Sequence, residues 1–197
     1  MTKFQIMQSL ADKNNGYLFT ADVQKNGISR TYLAEFVSEN NFERVSNGVY
    51  ISPDTWIDEL FILQHRYPKV VFANETALYL QGLSDREYQN VCVAVPPRFS
   101  STALREEGVF IWQEKKEIYS LGIVELKTNF GNTVRVYDKE KCICDIVKRR
   151  SKIDIVLFSD AIKAYMHSRL KDLSKLAEYS EKMEIKDEIM KYIEVML

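Results

Sequence analysis

The sequence has few of the residues that build disulfide, metal or phosphate-binding sites. Its 197 residues include three cysteines, two histidines and seven glycines. An odd number of cysteines without zinc-type spacing excludes a disulfide framework, so we expect reduced, buried thiols in a cytoplasmic protein. There is no glycine-rich phosphate loop and no serine-nucleophile motif. We therefore expect no metal, no cofactor and no enzymatic activity.

Long apolar runs and an excess of one charge are absent as well. No run approaches the roughly 18 apolar residues that a membrane helix needs, and the first residues lack the apolar centre of a signal peptide. We expect no membrane association. The formal net charge is −1, which excludes a positive field over the whole molecule. A nucleic-acid role would have to rest on a local patch.

The first 53 residues have the pattern of a winged helix-turn-helix. Apolar side chains recur at helical spacing over residues 3–12. A short helix over residues 21–26, with Thr20 as N-cap, and a third helix from the N-cap Ser29 to about residue 40 are expected next. Two alternating runs then flank Asn47-Gly48, a pair typical of hairpins because both residues accept positive φ. Three helices followed by a hairpin is the order of that fold.

The N-terminal turn of the third helix is the predicted DNA-reading element. Leu33 and Phe36 mark its buried face, which leaves the first turn free to enter a major groove. The arginine there can donate two hydrogen bonds to guanine, and its neighbours can reach base edges or phosphate. The predicted DNA contacts are Thr20, Lys25, Ser29, Arg30, Thr31, Tyr32, Arg44, Ser46 and Asn47.

The charge balance of this segment leaves a second interpretation open. Residues 1–52 contain five basic side chains (Lys3, Lys13, Lys25, Arg30, Arg44) and five acidic ones (Asp12, Asp22, Glu35, Glu39, Glu43). A neutral domain gains little from the release of counterions that drives DNA binding. The alternative is therefore a protein-interaction module that does not bind DNA.

Residues 54–197 are expected to form a mixed α/β domain, which makes the fold class α+β. Thr55 to His65 reads as a linking helix, and Asn74 as the cap of a later helix. Alternating segments predict an antiparallel sheet, and the C-terminal part reads as a helical bundle. The predicted helices of that bundle cover residues 139–149, 159–169, 170–181 and 185 to the end.

Two features of this second domain carry possible chemistry. Lys148, Arg149, Arg150 and Lys152 form a basic cluster that either complements a helix dipole or offers a second surface to nucleic acid or an acidic partner. "VELK" (124–127) places Glu125 and Lys127 two apart on a strand, as in half of a metal-dependent nuclease site. No matching acidic residue follows the usual pattern, so solvent-exposed partners on one face are the simpler interpretation.

The order of these segments resembles the AbiEi family, the antitoxins of bacterial abortive-infection toxin–antitoxin pairs. "GISRTYLAEFVSENNFERVSNGVYIS" (27–52) is similar to the family's winged-helix segment, and "NETALYLQGLSD" (74–85) to its inter-domain helix. "YDKEKCICDIVKRRSKID" (137–154) resembles its C-terminal signature. Together these segments extend over nearly the full length.

The resemblance implies an antitoxin that represses its own operon. The N-terminal domain would bind inverted repeats in double-stranded promoter DNA, and the C-terminal domain would counter a nucleotidyltransferase-like toxin in a phage-defence system. Family members often carry arginines late in the third helix and in the wing, where this chain has Ser38, Glu39, Asn40 and Ser46. This departure suggests that two copies bind adjacent repeats cooperatively.

Overall fold

The structure, a computed structural model, describes residues 1–196 and divides into two compact units. Unit 1 contains Met1–His65 together with Lys127–Asn132, and unit 2 contains Arg66–Leu126 and the chain from Thr133 onward. Leu197, the end of the domain predicted over 54–197, lies outside the described residues. The predicted boundary near residue 53 stays a prediction.

Unit 1 contains helices around a small antiparallel sheet. Its elements in chain order are α1 (Lys3–Lys13), β1 (Tyr17–Phe19), α2 (Thr20–Lys25), α3 (Arg30–Glu39), β2 (Glu43–Ser46), β3 (Val49–Ile51) and α4 (Glu59–Arg66), whose last residue is assigned to unit 2. The sheet order is β1-β3-β2. The three helices and the β2–β3 hairpin confirm the order read from the sequence, whereas β1 is an addition to it.

The start and end of α1 follow from local chemistry. The Thr2 hydroxyl accepts a hydrogen bond from the backbone N–H of Gln5, and the Gln5 side chain accepts one from the N–H of Thr2, which is a capping box. The helix ends because Asn15 and Gly16 adopt left-handed φ values of 52° and 88°. These bounds confirm the predicted helix over residues 3–12.

One apolar cluster holds α1, α2 and α3 together. Phe36 of α3 lies at its centre, with its ring centroid 5.4 Å from Phe4 of α1 and 5.4 Å from Phe42 before β2. The buried members of the cluster are Met7, Ala11, Leu18, Val23, Ile28, Leu33, Phe36 and Phe42. Burial of this apolar surface fixes which face of α3 points inward.

Residues 55–58 are not helical, which corrects the helix predicted from Thr55 to His65. The Tyr17 hydroxyl donates a hydrogen bond to the carbonyl of Trp56 at 2.6 Å and accepts one from the N–H of Asp58 at 2.7 Å. The Asp58 carboxylate then accepts the N–H of Phe61 and ends the extended segment by capping α4. The other oxygen of Asp58 accepts hydrogen bonds from Thr128 (2.5 Å) and Asn132 (2.9 Å), which draws Lys127–Asn132 into unit 1.

Unit 2 contains a mixed five-stranded sheet. The strands are β4 (Val71–Phe72), β5 (Cys92–Val95), β6 (Phe110–Gln113), β7 (Ile123–Lys127, with Lys127 assigned to unit 1) and β8 (Thr133–Tyr137), in the order β6-β5-β4-β8-β7. β4 pairs antiparallel to β5 but parallel to β8, and β5 pairs parallel to β6. The sheet is therefore mixed and not wholly antiparallel as expected. Parallel pairing fits β4 and β5, which are buried along their whole length.

Unit 2 also contains seven α-helices among the described residues. They are α5 (Asn74–Leu80), α6 (Thr102–Glu106), α7 (Lys116–Tyr119), α8 (Lys139–Lys148), α9 (Ile155–His167), α10 (Leu173–Lys182) and α11 (Lys186–Met196). The four C-terminal helices are close to those predicted, except that α9 begins four residues earlier because Asp154 accepts the N–H groups of Val156 and Leu157. None of the helices within residues 1–196 has the length and apolar character needed to cross a bilayer.

Asn74 does not cap α5 as predicted. The N-cap position is Ala73, and Asn74 is the first helical residue with φ 46°. Its side chain is 2% exposed, and neither its amide oxygen nor its amide nitrogen has a hydrogen-bond partner among the described residues. The Asn74 side chain therefore satisfies none of the helix amides that an N-cap residue would satisfy.

Candidate nucleic-acid interface

The N-terminal turn of α3 is exposed over its whole outer side. Ser29 lies at the N-cap with φ −74° and ψ 160°, which confirms its position, although its hydroxyl makes no capping hydrogen bond. Because Leu33 and Phe36 are buried, the predicted contact residues Ser29, Arg30, Thr31 and Tyr32 are all on the surface. The uncapped N–H groups of this turn are free to face an anion such as a phosphate.

Arg30 has no partner among the residues that the structure describes. No hydrogen bond or ion pair joins its guanidinium to any other described residue, and the residue is exposed. An exposed arginine without a carboxylate partner keeps all of its donors for a ligand. Its planar group suits a guanine edge or a phosphate, each of which accepts two parallel hydrogen bonds.

Lys3 is a contact of this turn that sequence reasoning missed. Its ammonium group lies 3.7 Å from the centroid of the Tyr32 ring. The capping box at Thr2 fixes the first turn of α1, and the contact between Phe4 and Phe36 fixes α1 against α3. The lysine therefore adds a positive charge next to the α3 turn and covers one face of Tyr32. Only the tertiary contact between α1 and α3 reveals this pairing.

Thr20 and Lys25, the predicted contacts in α2, have different surroundings. Thr20 is not the N-cap, since that position is Phe19; its N–H donates to the carbonyl of Gly48 at 2.8 Å and ties α2 to the hairpin. Lys25 is exposed, and its ammonium pairs with Asp22 at 3.2 Å. This ion pair partly neutralises the lysine, so its attraction for phosphate is weaker than the sequence indicates.

The hairpin carries the remaining predicted contacts, Arg44, Ser46 and Asn47. The guanidinium of Arg44 donates to the Asn47 side chain at 3.1 Å and to the carbonyl of Ser46 at 3.4 Å, so the three residues form one cluster. A bulge interrupts the β2–β3 register between Arg44 and Ser46. Only Gly48, with φ 73°, has the positive φ expected of both turn residues. The hydrogen bonds that Arg44 donates hold its guanidinium near the tip of the hairpin.

His65 lies beside α2 and is coupled to the same ion pair. Its ring stacks on Phe19 with centroids 3.4 Å apart, and its Nε2 lies 3.1 Å from the Asp22 carboxylate. Burial lowers the pKa of His65 below its ordinary value, against the opposing attraction of Asp22. The imidazole is therefore neutral at pH 7, and Asp22 remains available to Lys25.

The basic cluster of unit 2 is less open than its sequence indicates. Arg149 forms ion pairs with Asp145 and Glu114, its side chain is 11% exposed, and its guanidinium lies 4.6 Å from the centroid of Trp112. Lys148 donates to the carbonyl of Met183 at 3.3 Å, and Arg150 lies over a phenylalanine ring. Lys152 is exposed. Arg149 thus joins internal elements, whereas Lys148 and Lys152 reach the surface.

The residues of the alternative nuclease interpretation are also on the surface. Glu125 and Lys127 are exposed on β7. Within residues 1–196, no group of three or more histidine, cysteine or acidic side chains is arranged to hold a metal ion. The three cysteines are free and buried, which confirms the expectation of reduced thiols in the core.

The family of the N-terminal part of the chain follows from its match to a family model. Residues 2–86 match the model described as "Transcriptional regulator, AbiEi antitoxin N-terminal domain". This part of the chain is similar to the AbiEi antitoxin N-terminal domain and is called the AbiEi-type domain. The resemblance read from the sequence is thereby confirmed for this segment. The AbiEi-type domain contains every predicted DNA contact.

A comparison with solved structures finds a similar fold over most of the chain. The crystal structure of the RV2827C protein from Mycobacterium tuberculosis has a TM-score of 0.58 and 11% sequence identity, and the match covers 89% of this chain and 70% of that chain. At this identity the likeness concerns the fold alone. No curated protein matches the chain significantly in sequence.

Proposed function

We propose that this protein is an antitoxin that represses its own operon by binding inverted repeats in the promoter. The observation that carries the proposal is the exposed N-terminal turn of α3 in a domain matched to a transcriptional-regulator family. Arg30 in this turn has no partner within the described part of the chain. α2, α3 and the β2–β3 hairpin would act as a winged helix-turn-helix. The turn would read bases in the major groove, and Arg44 at the hairpin tip would contact the flanking backbone.

Two copies are proposed to bind together. Residues 1–52 have as many acidic as basic side chains, so a single copy neutralises few phosphates and has a modest electrostatic affinity. Two domains on repeats about one helical turn apart would double those contacts. We propose that the C-terminal part counters a nucleotidyltransferase-like toxin in the cytoplasm, without enzymatic activity of its own.

Footprinting tests the proposal. The full-length protein is titrated onto the DNA upstream of its own gene and onto a shuffled fragment of the same composition. The expected result is protection of two half-sites of an inverted repeat, with both protected over the same narrow concentration range. Equal protection of both fragments, or no protection, would overturn the proposal.

A protein-interaction module is the second candidate, because of the neutral charge and the internal pairs of Lys25 and Arg44. It predicts that Arg30→Ala leaves all DNA binding unchanged but weakens capture of the neighbouring gene product. The metal-dependent nuclease alternative predicts that plasmid is cut in Mg²⁺ or Mn²⁺ and that Glu125→Gln abolishes the cut. Intact plasmid would exclude it.

A further inference from the structure

An open groove in unit 2 lies along α9 and α11. Its volume is about 650 Å³. The floor and walls are apolar: Phe158 and Ile162 are buried, and the rings of Phe158 and Tyr192 meet edge to face with centroids 5.1 Å apart. Ile155, in the first turn of α9, forms an outer wall and is 66% exposed. Apolar surface this open is unusual unless something covers it.

The rim of this groove is positively charged. Lys163 and Lys191 are exposed, and neither ammonium group has an ion-pair partner within the described part of the chain. Arg150 lies at one end with its guanidinium 4.4 Å from the centroid of the Phe158 ring. Glu188 is the acidic residue among those lining the groove. Three cations against one carboxylate favour an occupant with negative charge along its edges.

We propose that the α9/α11 groove binds an amphipathic helix of a protein partner, with an apolar stripe flanked by acidic residues. The concave shape suits the stripe of a helix, whose residues at i, i+4 and i+7 would lie on Phe158, Ile162 and Tyr192. Acidic side chains on both sides of the stripe would pair with Lys163, Lys191 and Arg150. The proposal does not rest on DNA binding by the AbiEi-type domain.

A lipid surface explains these features less well. A membrane-binding face presents protruding apolar side chains with a wide basic surround. Here the aromatic residues form the floor of a groove, and α9 and α11 both carry acidic side chains, among them Asp160 and Glu188. An anionic bilayer would lie against the rim without reaching the floor.

The test uses the full-length protein and two fluorescent peptides of about 16 residues, long enough for roughly four helical turns. One peptide has leucine on one face and glutamate on the other, and the second has lysine in place of glutamate. Fluorescence anisotropy measures binding, and co-sedimentation with phosphatidylglycerol vesicles is measured in parallel. We expect the glutamate peptide to bind and the lysine peptide and the vesicles to bind at least about tenfold more weakly.

Variants assign the binding to the groove. The double change Lys163→Glu and Lys191→Glu should weaken binding of the glutamate peptide about tenfold or more. The same change should strengthen binding of the lysine peptide. Ile155→Ser should weaken both peptides. The control, Lys13→Glu with Lys116→Glu, makes the same change in net charge at exposed positions outside the groove and should change neither. Circular dichroism checks that all variants fold.

Three results would overturn the proposal. The first is no binding of the glutamate peptide. The second is equal binding by wild type and by the Lys163/Lys191 variant. The third is tight binding to vesicles that exceeds binding to the peptide. None of these outcomes depends on whether the protein binds DNA.

Discussion

Arg30 and Lys3 show how a single side chain depends on its surroundings. Arg30 has no partner among the described residues, whereas Lys3 is held by the ring of Tyr32. Both charges lie at the α3 turn, but their different surroundings lead us to expect different contributions to DNA binding. Arg30 would read a base or bind a phosphate directly, and Lys3 would contact phosphate while fixing Tyr32.

Lys3→Ala should reduce the salt dependence of DNA binding. The loss of one phosphate contact lowers the slope of log affinity against log salt by about one, with a similar effect on specific and shuffled DNA. Lys3→Arg should retain the slope because arginine keeps the charge and stacks on tyrosine. Anisotropy titrations at several salt concentrations measure both. An unchanged slope in Lys3→Ala would place Lys3 outside the interface.

His65 should make stability depend on pH. Burial holds its pKa in the folded state below the unfolded value of 6.5. The folded state then binds a proton less readily than the unfolded chain, so the stabilisation is full above pH 6.5 and is lost as pH falls through the lower, folded-state pKa. His65→Gln should remove this part of the pH dependence.

Urea unfolding of wild type and His65→Gln from pH 5 to pH 8 measures the effect. His167→Gln is the matched control, since that histidine is exposed. The difference in unfolding free energy between wild type and His65→Gln should be smaller at pH 5 than at pH 8. Parallel pH profiles for the two proteins would contradict the account.

At the scale of elements, much of the AbiEi-type domain could be predicted from the sequence. The spacing of Leu33 and Phe36 predicts α3 and its buried face, because local periodicity and a nearby capping position determine both. β1 and the extended segment before α4 could not be predicted. β1 depends on its pairing with β3, 30 or more residues along the chain. The extended segment depends on the hydroxyl of Tyr17, which meets Trp56 and Asp58 about 40 residues away.

Contacts between residues farther apart in the chain could not be predicted from the sequence either. Lys127–Asn132 belongs to unit 1 because Asp58 accepts hydrogen bonds from Thr128 and Asn132, more than 69 residues away. The parallel pairing of β4 with β8 likewise joins distant segments. For the candidate site, the sequence indicated which residues are exposed on α3, but not that Asp22 neutralises Lys25 or that Lys3 covers Tyr32.

Gly16 ends α1 at a close approach between backbone and side chains. A Cβ atom there would overlap the hydroxyl of Thr55 and lie 2.7 Å from that of Ser52, and φ is 88°. Gly16→Ala should therefore cost about 2 kcal/mol or more in unfolding free energy. Gly27→Ala is the control, since it has φ 72° with nothing within 4 Å and should cost only about 1 kcal/mol. Equal losses of unfolding free energy for the two variants in urea titrations would show that the Thr55 side chain moves aside without cost.

At the scale of the whole molecule, all three thiols are free and buried. Burial raises the pKa of Cys92 to about 11 and of Cys144 to about 12, and that of Cys142 lies well above its ordinary value. The native protein should therefore react slowly with a thiol reagent at pH 8, because thiolate is scarce and access is blocked. Three thiols should react rapidly in urea. Fast reaction of a thiol in the native protein would contradict this burial.

The central claim is that α3 of the AbiEi-type domain reads DNA through Arg30. The most direct measurement is the affinity of wild type, Arg30→Ala and the control Lys13→Ala for DNA upstream of the gene and for a shuffled fragment. We predict that wild type prefers the upstream DNA, that Arg30→Ala loses about 1–3 kcal/mol on it with a smaller loss on shuffled DNA, and that the control matches wild type. Wild-type affinity of Arg30→Ala on both fragments would contradict the claim.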